Sequence, residues 1–104
     1  MNEDLKELTE LDRLIHEPAR LLIMSILYPV EKVDFLFLLR ETGLTKGNLS
    51  AHLSRLEEAG YVAIEKTFRG KMPQTLISET SAGRVAFENY RKQMQNIMKH
   101  LSQE

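Results

Sequence analysis

Apolar residues recur at helical spacing along most of the chain. Near the N-terminus four of them are spaced three, three and four apart, which predicts one face of a first helix: Leu5, Leu8, Leu11 and Ile15. A second helix should begin at Pro18, because its missing N–H is harmless in a first helical turn, and should end at Tyr28-Pro29. This helix is apolar on most sides, so we expect it in the middle of the domain.

Two further helices, joined by a tight turn, are predicted in the central part of the sequence. After a short extended piece around Lys32-Val33, Asp34 is a suitable N-cap for the helix FLFLLRET. Gly43 can close that helix in the left-handed conformation. Thr45 then caps a fourth helix, Lys46 to Ala59, which a glycine stops.

The fourth helix has two unlike faces. Its leucines at 49, 53 and 56 fall at i, i+4 and i+7 and form a buried stripe. At about 100° per residue, the opposite arc holds small or hydrogen-bonding side chains where a solvated face normally mixes Glu and Lys. The residues of that arc are Gly47, Asn48, Ser50, Ala51, Ser54 and Arg55. Such a face permits close approach to another surface.

A β-hairpin and a long helix complete the chain. Alternation in YVAIEKTF, followed by RGKMP and QTLIS, predicts two strands joined by a Gly/Pro turn. Thr80 or Ser81 should cap a final helix that runs to about Ser102. The predicted architecture is therefore mainly α with a small β-hairpin, in which a helix-turn-helix precedes the hairpin.

The last helix carries an apolar seam with the 3-4-3-4 spacing of two coiled-coil heptads. Its members are Phe87, Tyr90, Met94, Ile97 and Leu101. The first two should pack against the domain itself. The later three lie beyond the reach of a core of roughly 80 residues, so we expect them to contact a partner, together with the leucines near the N-terminus.

Composition narrows the class of protein. A chain of 104 residues with 42% hydrophobic content suits a single domain, 1–104, in which we assign 1–16 and 85–104 to terminal dimerisation helices. The sequence has no cysteine, which excludes disulfides, thiolate zinc sites and cysteine nucleophiles. The N-terminus is acidic, and the longest apolar run is far shorter than the ~20 residues of a membrane span. We expect a cytoplasmic protein without a membrane partner.

Charge is more informative by region than in total. The formal net charge of −1 gives no general support for a nucleic-acid partner. Residues 1–17, however, carry six acidic and two basic side chains, whereas residues 45–75 carry five basic and three acidic ones. Local patches set the field that a polyanion meets, so the second region is the candidate.

Catalytic motifs do not occur in this sequence. It has no Gly-rich phosphate loop, His-Glu-x-x-His or nucleophile elbow, and its three histidines are far apart. We expect no enzymatic activity, bound metal or cofactor.

Four blocks occur in order, LDRLIHEPARL (11–21), GLTKGNLSAHLSRLEEAGYV (43–62), RGKMPQT (69–75) and TSAGR (80–84). Together they make the chain similar to small winged helix-turn-helix transcriptional regulators of the broad ArsR/MarR group. The resemblance implies a homodimer on double-stranded DNA, with helix 46–59 in the major groove and the wing, 66–75, on the backbone or minor groove. The implied DNA contacts are Thr45, Lys46, Asn48, Ser50, Ser54, Arg55, Arg69 and Lys71.

The resemblance also implies a dimer built from the terminal helices. The interface residues would be Leu5, Leu8, Leu11, Tyr90, Met94, Ile97 and Leu101. Metal-sensing relatives use cysteine and histidine clusters that this sequence lacks, so metal sensing is not carried over. The strand before Thr80 usually carries an apolar residue where this chain has Glu79, which we expect to be less buried or paired locally.

Other interpretations of the same residues stay open. The polar face of the fourth helix could be ordinary solvated surface. The fold could also serve as a protein–protein interaction module without DNA, for which the net charge of −1 is the best argument. His52 lies beside the apolar stripe, where a packed structural role is favoured over a pH switch. A small-molecule effector is an open partner, expected at the dimer interface if one binds.

Overall fold

The computed structural model describes residues 3–102, and the outermost parts of the two predicted terminal helices, residues 1–2 and 103–104, lie outside the described residues. The elements are α1 (Glu3–Glu10), α2 (Pro18–Leu27), β1 (Val33–Asp34), α3 (Phe35–Thr42), α4 (Lys46–Glu58), β2 (Val62–Arg69), β3 (Met72–Glu79) and α5 (Ser81–Leu101). The prediction of a mainly helical chain with a small hairpin and a long C-terminal helix is confirmed.

Most helix ends follow from the local signals in the sequence. The Asp34 carboxylate accepts the N–H of Leu36 at the start of α3, and Gly43 ends that helix with a φ of 69°. The Thr45 hydroxyl accepts the N–H of Asn48 at the start of α4. These caps were predicted, so the helix-turn-helix is defined by local chemistry.

The first helix is shorter than predicted, because α1 ends at Glu10. The Asp12 carboxylate accepts the N–H groups of Leu14 and Ile15 at 2.9 and 3.2 Å, which turns the chain before α2. Leu11 and Ile15 therefore do not continue the face of α1. They are 6% and 0% exposed, respectively, and lie in the core.

The hairpin belongs to a three-stranded antiparallel sheet with the order β1-β3-β2. The two-residue strand β1 pairs with Leu76 and Ile77 of β3, whereas β2 and β3 pair over their full length. The sequence predicted an extended piece before α3 but not its pairing. That pairing ties the start of the helix-turn-helix to the hairpin.

The hairpin turn contains only Gly70 and Lys71, since Arg69 is opposite Met72. Gly70 has a φ of 64° and Lys71 does not have a positive φ, which is the pattern of a type II′ turn. The predicted Gly/Pro turn is wrong in one respect, because Pro73 lies within β3 opposite Phe68. It is tolerated there because β1 does not extend that far, so no strand needs its missing N–H on the outer edge.

The core lies between α2, α3, α4 and the sheet. Helix α2 is central, as predicted, with Ile23, Met24 and Leu27 all 0% exposed. Leu38 of α3 and Ile77 of β3 are equally buried. Among the described residues, no helix is both long and apolar enough to cross a membrane.

Helix α1 packs along α5, and this contact changes the interpretation of the apolar seam. Ile97 is only 5% exposed, so the expectation that it lies beyond the cover of its own chain is wrong. Tyr90 is 4% exposed, and its hydroxyl lies 2.7 Å from Nδ1 of His16. Leu101 and Leu8, by contrast, are 57% and 51% exposed.

The pair of helices α1 and α5 extends from the rest of the domain. The molecule measures 58 × 25 × 21 Å, and the 21-residue α5 is about 31 Å long at about 1.5 Å per residue. An Asn96–Glu7 hydrogen bond of 3.1 Å joins the two helices on their exposed side. Leu5 and Met94 are partly buried between them.

Candidate nucleic-acid interface

Helix α4 presents the polar face that the sequence predicts. Leu49, Leu53 and Leu56 are 0%, 2% and 0% exposed and hold the helix against the core. The six predicted contact residues in and before the helix are all exposed: Thr45, Lys46, Asn48, Ser50, Ser54 and Arg55. The leucine stripe therefore fixes one side of α4 and leaves the opposite side free.

The exposed residues of α4 form two flanks with small residues between them. At about 100° per residue, Lys46, Ser50 and Ser54 span one side of the exposed arc, and Asn48 and Arg55 lie on the other. Gly47 and Ala51 lie between the flanks and are themselves exposed. Apart from Glu58 at the C-terminal end of the helix, no long side chain lies along this line, so a second surface could approach the backbone of the N-terminal half of α4 closely.

One flank of α4 faces the hairpin across a groove of about 790 Å³. On one side the groove is lined by Lys46, Ser50 and Ser54. The opposite side is lined by the sheet residues Lys66, Gln74 and Thr75, and the N-terminal end of α3 also lines the groove. The structure thus brings three of the predicted α4 residues together with the wing, whereas Asn48 and Arg55 lie outside this groove.

Lys66 was not predicted as a contact residue, although the sequence contained a signal for it. Lys66 shares the strand face of Ile64, two residues earlier, and Ile64 packs against the core. A side chain on the same face of the same strand must also lie towards α4. The alternation of side chains in β2 was therefore the sequence signal that Lys66 would lie on the face of the sheet next to α4.

The hairpin tip is exposed and basic. Arg69 and Lys71, both predicted contacts, are exposed, and no acidic residue occurs between positions 66 and 75. Two acids do line the groove nearer the helices, Asp34 and Glu57. The Asp34 carboxylate accepts a 2.9 Å hydrogen bond from Gln74, and this bond and its helix-capping bond hold the pKa of Asp34 below its usual value.

A partly buried polar cluster joins α4 to α2. Arg20 is 7% exposed, and its Nε donates to the Leu14 carbonyl at 2.6 Å. Its Nη1 lies 3.0 Å from Nδ1 of His52 on α4, so Nδ1 is the acceptor and a neutral ring carries its proton on Nε2. Glu17 caps α2 and also lies near both side chains, at 3.7 Å from Arg20 and 3.8 Å from His52. His52 is thus a packed residue that positions α4, as favoured by the sequence.

Glu79 is the least satisfied acidic residue of the described chain. Both of its carboxylate oxygens are shielded from solvent, and among the described residues neither has a hydrogen-bond partner. Burial raises the pKa of Glu79 to about 7, with Arg84 opposing the shift and Glu88 adding to it. Glu79 as a whole is half-buried, which agrees with the expected less buried position, but the expected alternative of a local hydrogen-bond partner is not found among the described residues.

These elements define a helix-turn-helix whose second helix is exposed beside a basic hairpin wing. Comparisons with known proteins agree. Residues 19–98 match the model of the family described as winged helix DNA-binding domain. An uncharacterized protein of Methanocaldococcus jannaschii is 35% identical over 89 residues, which cover 86% of this chain and 97% of that protein.

Two solved structures are similar in fold. A transcriptional regulator homologue from Pyrococcus horikoshii OT3 has a TM-score of 0.87 at 29% identity, covering 96% of this chain and 98% of that one. NadR, solved in complex with 4-hydroxyphenylacetate, has a TM-score of 0.69 at 18% identity, and the match covers 88% of this chain and 64% of NadR.

The chain belongs to the family of winged helix DNA-binding domains. This membership confirms the winged helix-turn-helix predicted from the sequence. In the order of elements, α4 follows α3 as the second helix of the motif, and the hairpin β2–β3 takes the place of the wing.

Proposed function

We propose that this protein is a transcriptional regulator that binds double-stranded DNA sequence-specifically as a homodimer. Helix α4 enters the major groove, and the wing, 66–75, lies on the backbone or in the minor groove. The observation that carries the proposal is the exposed polar face of α4, backed by buried leucines and facing the basic wing across a groove. Family membership supports the same assignment.

The two flanks of α4 have different roles in this proposal. Asn48 and Arg55 reach base edges, where Asn pairs bidentately with adenine and Arg with guanine. Lys46, Ser50 and Ser54 face the wing and bind the phosphates of the strand that passes between helix and hairpin. Thr45 caps the helix and presents its N-terminus to a phosphate.

The dimer is built from α1 and α5 of each copy. Both helices extend from the domain and leave Leu8, Met98 and Leu101 51%, 58% and 57% exposed. Of the seven predicted interface residues, Leu11, Tyr90 and Ile97 are already buried within the chain, so they support the interface from behind. A two-fold dimer would place its α4 helices about 34 Å apart, one turn of DNA.

The DNA-binding proposal is tested by fluorescence anisotropy with a mixed-sequence duplex of about 30 base pairs, titrated at several salt concentrations. Each phosphate contact steepens the log–log salt dependence by about 0.9, so Arg69→Ala and Lys71→Ala should each flatten it by roughly one unit. Lys92→Ala is the matched control, because Lys92 is exposed on α5, away from the wing. Selection from a randomised duplex pool then yields the operator.

The alternative is a winged helix that binds a protein and no DNA, which the net charge of −1 favours. Absence of duplex binding even at low salt would support this alternative. Unchanged salt slopes in both wing variants, with binding retained, would instead reject the wing contacts alone.

The dimer is tested separately by light scattering. Leu8→Lys with Leu101→Asp should convert a dimer into a monomer without unfolding it, because both side chains are exposed in the single chain. A monomer for the unmodified chain at all concentrations would reject the dimer. A small-molecule effector stays a prediction, tested by screening for compounds that change the duplex affinity.

A further inference from the structure

The wing tip carries two large apolar side chains that are mostly exposed to solvent. Phe68 is 69% exposed and Met72 is 70% exposed, the highest values among the large apolar residues of the described chain. Single exposed apolar residues are common and need no explanation. Two of them beside one two-residue turn, however, concentrate apolar area at the most protruding point of the sheet.

The geometry of the hairpin places these side chains where a bound duplex would be. The last β3 residues that β1 covers are Leu76 and Ile77, and Leu76 is opposite Glu65. The four residues from there to Arg69 carry the tip about 13 Å further out, at roughly 3.3 Å per residue. Phe68 shares the strand face of Lys66, which lines the groove with α4.

The charges around the tip favour a polyanion over an apolar protein surface. Lys66, Arg69 and Lys71 flank the two apolar side chains, and the segment from 66 to 75 contains no acidic residue. An aromatic ring and a thioether between three cations match a surface in which apolar sugar and base edges lie between two rows of phosphates. The minor groove of DNA has that composition.

We propose that Phe68 and Met72 insert into the minor groove next to the major-groove site of α4, while Arg69 and Lys71 bind the flanking phosphates. This inference rests on the proposed DNA-binding function and adds residues that the cationic wing does not include. Phe68 approaches from the face of the hairpin that borders the groove beside α4. Met72, paired with Arg69, approaches from the opposite side.

Such an insertion has two physical consequences. Burial of apolar side chains adds affinity without releasing counterions, so it is independent of salt. Apolar wedges in the minor groove also unstack base steps and bend the duplex towards the major groove, at least cost at flexible pyrimidine–purine steps. The contacts of the wing tip would therefore make the affinity depend on how easily the DNA deforms next to the bases that α4 contacts directly.

The test compares two pairs of substitutions on a fluorescein-labelled mixed-sequence duplex of about 30 base pairs. Phe68→Ala combined with Met72→Ala should weaken binding about tenfold at every salt concentration and leave the salt slope unchanged. Arg69→Ala combined with Lys71→Ala should flatten the slope instead. With dyes at both duplex ends, energy transfer should rise on binding of the unmodified protein and should rise less with the apolar double variant.

Val30→Ala is the matched control for loss of exposed apolar area, since Val30 is 43% exposed in the loop between α2 and β1, outside the proposed DNA and dimer contacts. It should bind like the unmodified protein. Equal affinity of the apolar double variant and the unmodified protein would overturn the inference while leaving the proposed function intact. So would light scattering that shows the tip residues driving self-association without DNA. If the unmodified protein binds no duplex at low salt, the proposed function fails first and this inference fails with it.

Discussion

Replacing Glu79 by Gln tests whether a single buried carboxylate weakens this fold above neutral pH. Glu79 is the last residue of β3, opposite Val62, and both of its oxygens are shielded without a hydrogen-bond partner among the described residues. Glutamine keeps the size and shape of the side chain but carries no charge. The substitution therefore removes the cost of burying the ionised form.

The size of that cost follows from the pKa. The pKa of Glu79 is about 7 in the folded chain and 4.5 for an unperturbed glutamate. At about 1.4 kcal/mol per unit, the ionised side chain costs up to roughly 3 kcal/mol. Because Arg84 lies close enough to oppose the shift and the residue is only half-buried, we expect about 1–2 kcal/mol.

The contribution of Glu79 to the stability of the fold changes with pH in the opposite direction to that of most acidic residues. Between pH 4.5 and about 7 the folded chain holds a proton on Glu79 that the unfolded chain releases. The free energy of unfolding therefore falls as the pH rises through this window and levels off above it. Glu79→Gln should lack this component, and it should be more stable than the unmodified chain at about pH 8 by about 1–2 kcal/mol.

The assay is urea unfolding at about pH 5 and about pH 8, at one protein concentration. The quantity compared is the change in unfolding free energy between the two pH values, which should be about 1–2 kcal/mol smaller in Glu79→Gln. Glu31→Gln, at an exposed position in the loop before β1, should change like the unmodified chain. Equal pH dependence in Glu79→Gln and the unmodified chain would refute the reasoning.

Three other substitutions test a close backbone contact and two helix caps of the fold. Gly83→Ala should lower the free energy of unfolding by about 1–3 kcal/mol in urea unfolding, because the added Cβ would lie 2.1 Å from the Tyr61 carbonyl oxygen. Stability equal to that of the unmodified chain would show that α5 can shift freely. Thr80→Ala should cost about 1–2 kcal/mol, since Thr80 caps α5 and its hydroxyl donates to the Gly60 carbonyl; Thr80→Ser should restore most of it. Asp34→Ala should lower the free energy of unfolding by about 1 kcal/mol near neutral pH. Because folding lowers the pKa of Asp34, this difference should disappear as the pH falls below 3.8. A difference that persists in acid would contradict this explanation.

The helix-turn-helix could be predicted from sequence because its signals are local. Asp34, Gly43 and Thr45 act within three or four residues of themselves, and the leucine stripe of α4 depends only on helical spacing. The end of α1 was missed because the side chain of Asp12 competes with the helix for backbone N–H groups, which apolar spacing does not reveal.

The misses in the candidate site come from contacts between distant parts of the chain. The burial of Ile97 depends on α1, some 90 residues earlier, and the pairing of β1 depends on β3. The exposed residues of α4 could be predicted individually. Their division into a flank that faces the wing and a flank that does not required the orientation of the hairpin, which only the sheet register supplies.

The proposed DNA recognition depends on how firmly the buried side of α4 is held against the core. Its three leucines fix the height of the helix above the core, but apolar contacts do not by themselves prevent rotation about the helix axis. The directional contact is the hydrogen bond between His52 and Arg20, and Arg20 is in turn held by the Leu14 carbonyl. Asn48 and Ser54 lie about 120° apart around α4 on different flanks, so in the proposed complex a small rotation would move one towards the DNA and the other away. The Arg20–His52 hydrogen bond therefore adds a directional contact to the leucine packing, and together they hold both flanks of α4 in a fixed orientation.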